Sequence, residues 1–350
     1  MKKIILLILA IGIIAPAGII FWRQKSQVEP ANPNLALTQE VWETIKTNYW
    51  EKISDEELAK LYQVGLEKLT GKQISFKSAN LQGVLKMLVK QAELAPQLND
   101  LVLANLKPFG RSRLYSRKEE QALAENVANY NRATGQIEPS ITGRALTNDI
   151  YYLKHTKFSP NSLTELEKTA NESEKQPQMT TLIYDLCGNI GGSLDLLPYF
   201  LGPFIGQNQY AYQAYHQEQK EEVKTQTGWL NSLVKFKKVI ILVDQETQSS
   251  AEVMAAVLKK YNVGVLVGTK TKGWGTVERV FPLQNQPDPG QKFSVFLVHR
   301  LTLRDDGEPI EGRGVEPAVN IKTKNWENEL YKYTRYPELT KIVKSLIANR

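Results

Sequence analysis

Three regimes of hydrophobic and polar positions follow one another along the chain. Residues 4–22 carry no charged side chain and are flanked by Lys2, Lys3 and Arg23. At about 1.5 Å rise per residue, a helix over this run spans a hydrocarbon core of roughly 30 Å. The run exceeds the apolar stretch of about 7–15 residues in a cleaved signal peptide. Its small-residue site, Ala15-Pro16-Ala17, also lies inside it. The pattern therefore predicts a membrane anchor over residues 1–23. The amino terminus, Lys2 and Lys3 outweigh Arg23 and Lys25, which places the N-terminus in the cytoplasm and the body outside it. Residues 24–37, with Pro30 and Pro33, read as a polar linker.

From residue 38 to about 147 the period is helical. Val41, Trp42, Ile45 and Tyr49 recur at i, i+3 or i+4, and Leu58, Leu61, Tyr62, Leu66 and Leu69 continue the rule over a second helix. Ser54 with Glu57 and Ser116 with Glu119 have the spacing of capping boxes, and Gly71 marks a stop. A further helix fits residues 80–95. From 148 to 350 short β-rich runs alternate with helical ones. Residues 150–153, 181–186, 239–243, 263–267 and 293–298 predict strands, and 162–173, 249–261 and 337–348 predict helices. Such alternation argues for an α/β layered core of mostly parallel strands with flanking helices, preceded by a helical N-terminal region.

Composition narrows the chemistry. With 42% hydrophobic and 23% charged residues in 350, the chain is of globular type. The net charge of +7 comes from Lys and Arg scattered among Asp and Glu, without the clustered basic face or strand–GxGxxG–helix that a nucleic-acid or dinucleotide role needs. The one cysteine, Cys187, excludes an internal disulfide framework. His155, His216 and His299 lack metal-ligand spacing, so neither a metal nor another cofactor is expected.

Four stretches carry candidate chemistry. Residues 185–193, DLCGNIGGS, run from a strand into glycines that can present free N–H groups to an oxyanion. Residues 243–253, VDQETQSSAEV, take a strand through a hydroxyl-rich turn into a helix. Ser249 or Ser250 there fits an ordinary N-cap and equally a group placed where helix-terminal amides favour negative charge. Residues 267–278, VGTKTKGWGTVE, and 312–317, GRGVEP, follow.

In order and spacing these four resemble the C-terminal processing (tail-specific) serine peptidase family, with its DLRxNPGG strand end, SASASE-like nucleophile turn, GxxTxGKGxVQ segment and GxGIxPD closing motif. The resemblance covers roughly residues 148–346, and residues 106–116 are similar to the family's DPHSxYL region. It implies a ClpP/crotonase-like core and a membrane-anchored serine endopeptidase acting outside the cytoplasm on unfolded or C-terminal polypeptide segments. By the same resemblance Ser249 is the nucleophile, followed by Ser250, Ala251 and Glu252. The N–H groups of Ser250 and of Gly191 or Gly192 form the oxyanion hole.

The chain departs from the family where the proton is handled. The base lysine corresponds to Trp274, whose indole has no basic lone pair. The glutamine four residues on is Glu278, and the arginine and proline of the first motif are Cys187 and Ile190. The residues between the helices and the core are too few for the family's PDZ domain of about 80 residues, so capture of a free C-terminus by strand addition has no obvious site. A displaced base is conceivable in Lys272, two residues before Trp274, if the segment is extended and the amine is buried. The alternative is a catalytically inactive relative that binds peptide or a partner protein, with Trp274 filling the base pocket.

Overall fold

The computed structural model describes residues 32–75, 77–304 and 306–350. The chain order is α1 (Pro33–Asn48), α2 (Asp55–Thr70), α3 (Leu81–Leu88), α4 (Ala95–Ala104), β1 (Arg113–Ser116), α5 (Arg117–Val127), β2 (Tyr130–Asn131), β3 (Gln136–Ile137), β4 (Ile141–Ala145), β5 (Ile150–His155) and α6 (Ser162–Glu172). Then come β6 (Thr181–Asp185), α7 (Leu197–Ile205), β7 (Tyr210–His216), β8 (Gln219–Lys224), α8 (Asn231–Val234), β9 (Lys238–Val243) and α9 (Ser250–Lys260). The rest is β10 (Val265–Gly268), β11 (Thr276–Pro282), β12 (Phe293–Leu303), β13 (Val319–Asn320), α10 (Trp326–Thr334) and α11 (Pro337–Ala348).

The expected layered core is present. Six strands run in the order β13-β10-β9-β6-β5-β4, parallel except for the edge strand β4. Strand β6 is buried along its whole length, as a central strand covered on both faces must be. One face packs under α6, α7 and α9 through Leu166, Phe200 and Met254. The other packs through Ile183, Leu242 and Cys187 on α10 and α11, which contribute Leu330, Leu339 and Val343.

A second, antiparallel sheet stands beside it, with β12 pairing β11 along one side and β1 and β7 along the other, and β8 beyond β7. Most of these strands are half exposed or strongly polar, as in β8, so hydrophobic alternation alone does not predict them. The N-terminal helices lie on this sheet and share a core with it through Leu37, Trp42, Tyr62, Leu98, Val295 and Leu297. The helical region and the α/β core are thus interlocked across residue 147, and β4 already belongs to the parallel sheet.

Helix α1 begins at Pro33 under an Asn32 cap, so the expected linker does not extend through residue 37. The expected anchor, residues 1–23, and the linker up to residue 31 lie outside the described residues. Among the described residues no helix is long and apolar enough to cross a membrane.

Candidate active site

Ser249 stands where β9 has ended and α9 begins, as the N-cap residue of that helix. The Asp244 carboxylate turns the chain after β9 by accepting the N–H groups of Glu246 and Thr247 at 3.0 and 2.9 Å. An ordinary cap is extended, as at Ser54 (φ −70°) and Ser116 (φ −74°). Ser249 instead has φ 58° and ψ −127°. A side-chain-bearing residue held there costs about 1–3 kcal/mol and persists only where its surroundings over-determine it. Here they do: its N–H donates to Glu252 Oε2 at 2.9 Å, and its carbonyl accepts from Glu252 and Val253 at 2.8 and 3.2 Å. Capping alone gives no reason for this backbone, whereas a nucleophile held on a sharp strand-to-helix turn does.

The glycine turn after β6 closes on this serine. Gly191 has φ +84°, and a Cβ there would lie 2.6 Å from Ser249 Cβ and 3.1 Å from its Oγ. Gly192 has φ +143°, with the Phe158 carbonyl oxygen 2.2 Å from where a Cβ would be. Glycine is required at both by conformation and by close approach. Their amides differ. Gly191 N–H is spent on Asn189 Oδ1 at 2.8 Å, while among the described residues Gly192 N–H and Ser250 N–H have no intramolecular acceptor. Ser250 Oγ donates to Gly192 carbonyl at 3.1 Å and fastens the two turns together. Of the alternatives Gly191 and Gly192, therefore, Gly192 carries the free donor.

Glu252 joins the serine turn to residues 271–274. Its buried carboxylate accepts four donors: Ser249 N–H (2.9 Å) and Trp274 N–H (2.7 Å) on Oε2, and Gly273 N–H (2.7 Å) and Thr271 Oγ (2.5 Å) on Oε1. Burial raises its pKa, and the four donors pull it down. Gly273 takes φ +83°, so the segment is not extended as the i to i+2 argument for Lys272 and Trp274 required. Lys272 points outward: its side chain is 41% exposed and its ammonium lies 3.7 Å from Glu246. The burial that a displaced lysine base requires is absent, because the turn at Gly273 directs this side chain to solvent.

Trp274 enters a polar cluster not expected from the sequence, with Lys272 Nζ 5.8 Å from its ring centre on the solvent side. The guanidinium carbon of Arg111 sits 3.3 Å from the indole ring centre, and Trp274 Nε1 donates to Glu278 at 3.3 Å. Arg111 Nη2 pairs with Glu311 at 3.0 Å, with the two side chains 18% and 16% exposed, and Glu311 also accepts Gly275 N–H at 2.8 Å. Thr276 Oγ donates to Glu278 at 2.6 Å, and burial raises the Glu278 pKa. The signals for this cluster were the stretch around Arg111 and the residue just before Gly312, both beside motifs already singled out.

The histidines lie elsewhere. His155 is buried between Tyr184 and the Lys157 carbonyl, and burial lowers its pKa to about 3. His216 and His299 lie against each other, tilted, with ring centres 4.5 Å apart at the end of α1, where His299 meets the Asn48 carbonyl at 2.8 Å. Among the described residues no group of three or more His, Cys, Asp or Glu side chains is placed to hold a metal ion.

Residues 149–321 match the model of peptidase family S41. A Staphylococcus epidermidis protein named "Probable CtpA-like serine protease" is 31% identical over 176 residues, which is 49% of this chain and 33% of that protein. The Bacillus subtilis carboxy-terminal processing protease CtpA is 29% identical over 193 residues, 55% of this chain and 38% of its own length. The matched part is thus about a third of each relative. Among solved structures, the photosystem II D1 C-terminal processing protease superposes with a TM-score of 0.57 at 14% identity. It covers 83% of this chain and 93% of its own, and so shares the fold.

Proposed function

We propose that this chain, S41-like over residues 149–321, is a serine-type peptidase of the C-terminal processing kind that acts on extended polypeptide segments. The observation that carries this reading is Ser249, held at φ 58° beside two unpaired amides, Ser250 N–H and Gly192 N–H. In the reaction, Ser249 Oγ adds to a peptide carbonyl and its oxygen takes up negative charge between those amides. The C–N bond then breaks, the amine leaves with a proton, and water releases the acid from the serine ester. The apolar run at residues 4–22 supports a membrane-anchored protein with this site outside the cytoplasm.

Turnover in this reading is slow. The resemblance puts the base at Trp274, and Lys272 is exposed, so general-base assistance worth about 10²–10⁴-fold is missing while the oxyanion donors remain. A second reading, a peptide-binding module without hydrolysis, is favoured by one observation: Arg111, Trp274 and Glu278 fill the base position with a closed polar cluster.

One experiment separates the two. The full chain is treated with an alkyl fluorophosphonate, which leaves phosphorus on Ser249 Oγ and expels fluoride, and is assayed for cleavage of an unstructured polypeptide. A peptidase labels at Ser249 and cleaves slowly, Ser249→Ala abolishes both, and Trp274→Lys accelerates cleavage. Absence of label and cleavage, with peptide binding weakened by Trp274→Ala, establishes the second reading and refutes the first.

A further inference from the structure

The turn that carries Gly192 N–H is not stiff by itself. Gly188, Gly191 and Gly192 all take positive φ within five residues, and each glycine leaves the backbone freer than a side chain would. Its placement depends on anchors. Some run along it from the segment after β9: Thr247 Oγ donates to the Leu186 carbonyl at 3.0 Å, Gly188 N–H to Asp244 Oδ1 at 2.9 Å and Gln248 N–H to the Asn189 carbonyl at 2.9 Å. At its near end both backbone groups of Cys187 are held, the N–H by Asp185 Oδ1 at 2.9 Å and the carbonyl by Lys154 Nζ.

Asp185 is the centre of that near anchor. It is 1% exposed, and a carboxylate so buried stays in place only if cations and donors surround it. Lys154 Nζ lies 3.3 Å from Oδ1, but it is shared with the Cys187 carbonyl. Oδ2 is met by Tyr152 Oη at 2.5 Å and by Arg350 Nη2 at 2.5 Å. Arg350 arrives from beyond α11, which is fixed under the sheet by Leu339 and Val343 in the same apolar cluster as Cys187. Its side chain is 29% exposed, and its charge lies close enough to the Cys187 thiol to act on it electrostatically. A guanidinium thus reaches, from 163 residues away, the place where the resembled motif has its own arginine and this chain has Cys187.

We infer that Arg350 is a positioning residue for the Ser249 site: through Asp185 it helps fix the turn at residues 186–192 and so the unpaired Gly192 amide, whose own carbonyl is tied to Ser250 Oγ. This rests on the peptidase reading for its chemical consequence, though not for its structural one.

The test uses the full chain, Arg350→Ala and Arg350→Lys, with three readouts: amide hydrogen exchange over residues 186–192, reaction of Cys187 with a thiol reagent, and saturation kinetics of Ser249 phosphonylation. Cys187 is the one cysteine of the sequence, so the thiol signal has a single source. In Arg350→Ala, exchange over 186–192 and thiol reactivity rise while exchange in α2 is unchanged. The limiting phosphonylation rate falls by on the order of tenfold to a hundredfold, with little change in the half-saturating concentration. Arg350→Lys restores most of each. Unchanged exchange over 186–192 overturns the inference. A raised thiol reactivity with an unchanged phosphonylation rate also overturns it, leaving Arg350 a seal over Cys187. If the parent protein itself takes no label, the peptidase reading fails and the inference is judged on exchange over 186–192 alone.

Discussion

Glu252→Gln tests the joint between the serine turn and the loop after β10. The carboxylate offers two oxygens to four donors, whereas the amide offers one oxygen and an NH₂ group that is itself a donor. The less costly orientation turns the NH₂ toward Thr271, whose hydroxyl can rotate to accept it, and leaves Gly273 N–H buried without an acceptor. One lost bond to a charged acceptor plus one orphaned N–H comes to about 3–5 kcal/mol. Relief from burying a charge offsets part of this, giving a net loss of about 3 kcal/mol. Urea denaturation reads this as a lowered midpoint at constant slope. Glu119→Gln is the internal control, since Glu119 holds the same third position of α5 but is exposed and serves only Ser116, so its loss stays below about 1 kcal/mol. The pH dependence adds a signature. An acid whose folded pKa is raised binds its proton more tightly in the native state, so Glu252 makes stability fall as pH rises from its ordinary 4.5 toward the raised value. Glu252→Gln removes that slope. A loss no larger than that of Glu119→Gln would refute the claim that Glu252 holds the two segments together.

Ser249→Gly relaxes φ 58°, ψ −127°, while Ser249→Ala keeps the strain; after the extra unfolded-state entropy of glycine, the Gly variant is about 1 kcal/mol the more stable in thermal melts, and equal stability would contradict the strain. Arg111→Ala leaves Glu311 half-stranded and uncovers Trp274, costing about 3 kcal/mol, and a double-mutant cycle with Glu311→Gln returns a coupling above about 1 kcal/mol unless the pair is inert. His299 has its pKa lowered to about 4, chiefly by burial, so the unfolded chain binds the proton first. Its contribution is fully present above the ordinary 6.5 and is lost as pH falls toward 4. His299→Gln, which keeps a donor for the Asn48 carbonyl, removes ~2 kcal/mol of that decline, allowing for the part of the ring that water reaches.

Local pattern alone located the strand ends and the helix that bear the site. Strands β6 and β9 carry apolar runs over residues 182–184 and 239–243, α9 has a clean helical stripe, and Gly191, Gly192 and Ser249 stand in the turns that follow the strands, because burial of a strand or a helix face is written in consecutive residues. The capping boxes at Ser54 and Ser116 were equally legible, being contacts three residues apart.

Tertiary structure decided what those residues can do. The positive φ of Ser249 depends on Glu252 being drawn to Gly273 and Trp274, and the choice of Gly192 over Gly191 as free donor depends on where Asn189 turns its side chain. The turn at Gly273 sends Lys272 to solvent, against an alternation that holds only in extended chain. Arg111 on Trp274 and Arg350 on Asp185 bring together residues more than 160 positions apart, and the antiparallel sheet under the N-terminal helices includes strands as polar as β8. The contacts of Glu252, Arg111 and Arg350 and the antiparallel sheet rest on partners distant in sequence, and a periodicity read over ten or fifteen residues carries no term for such a partner; the turns at Asn189 and Gly273 are local but break the regular period.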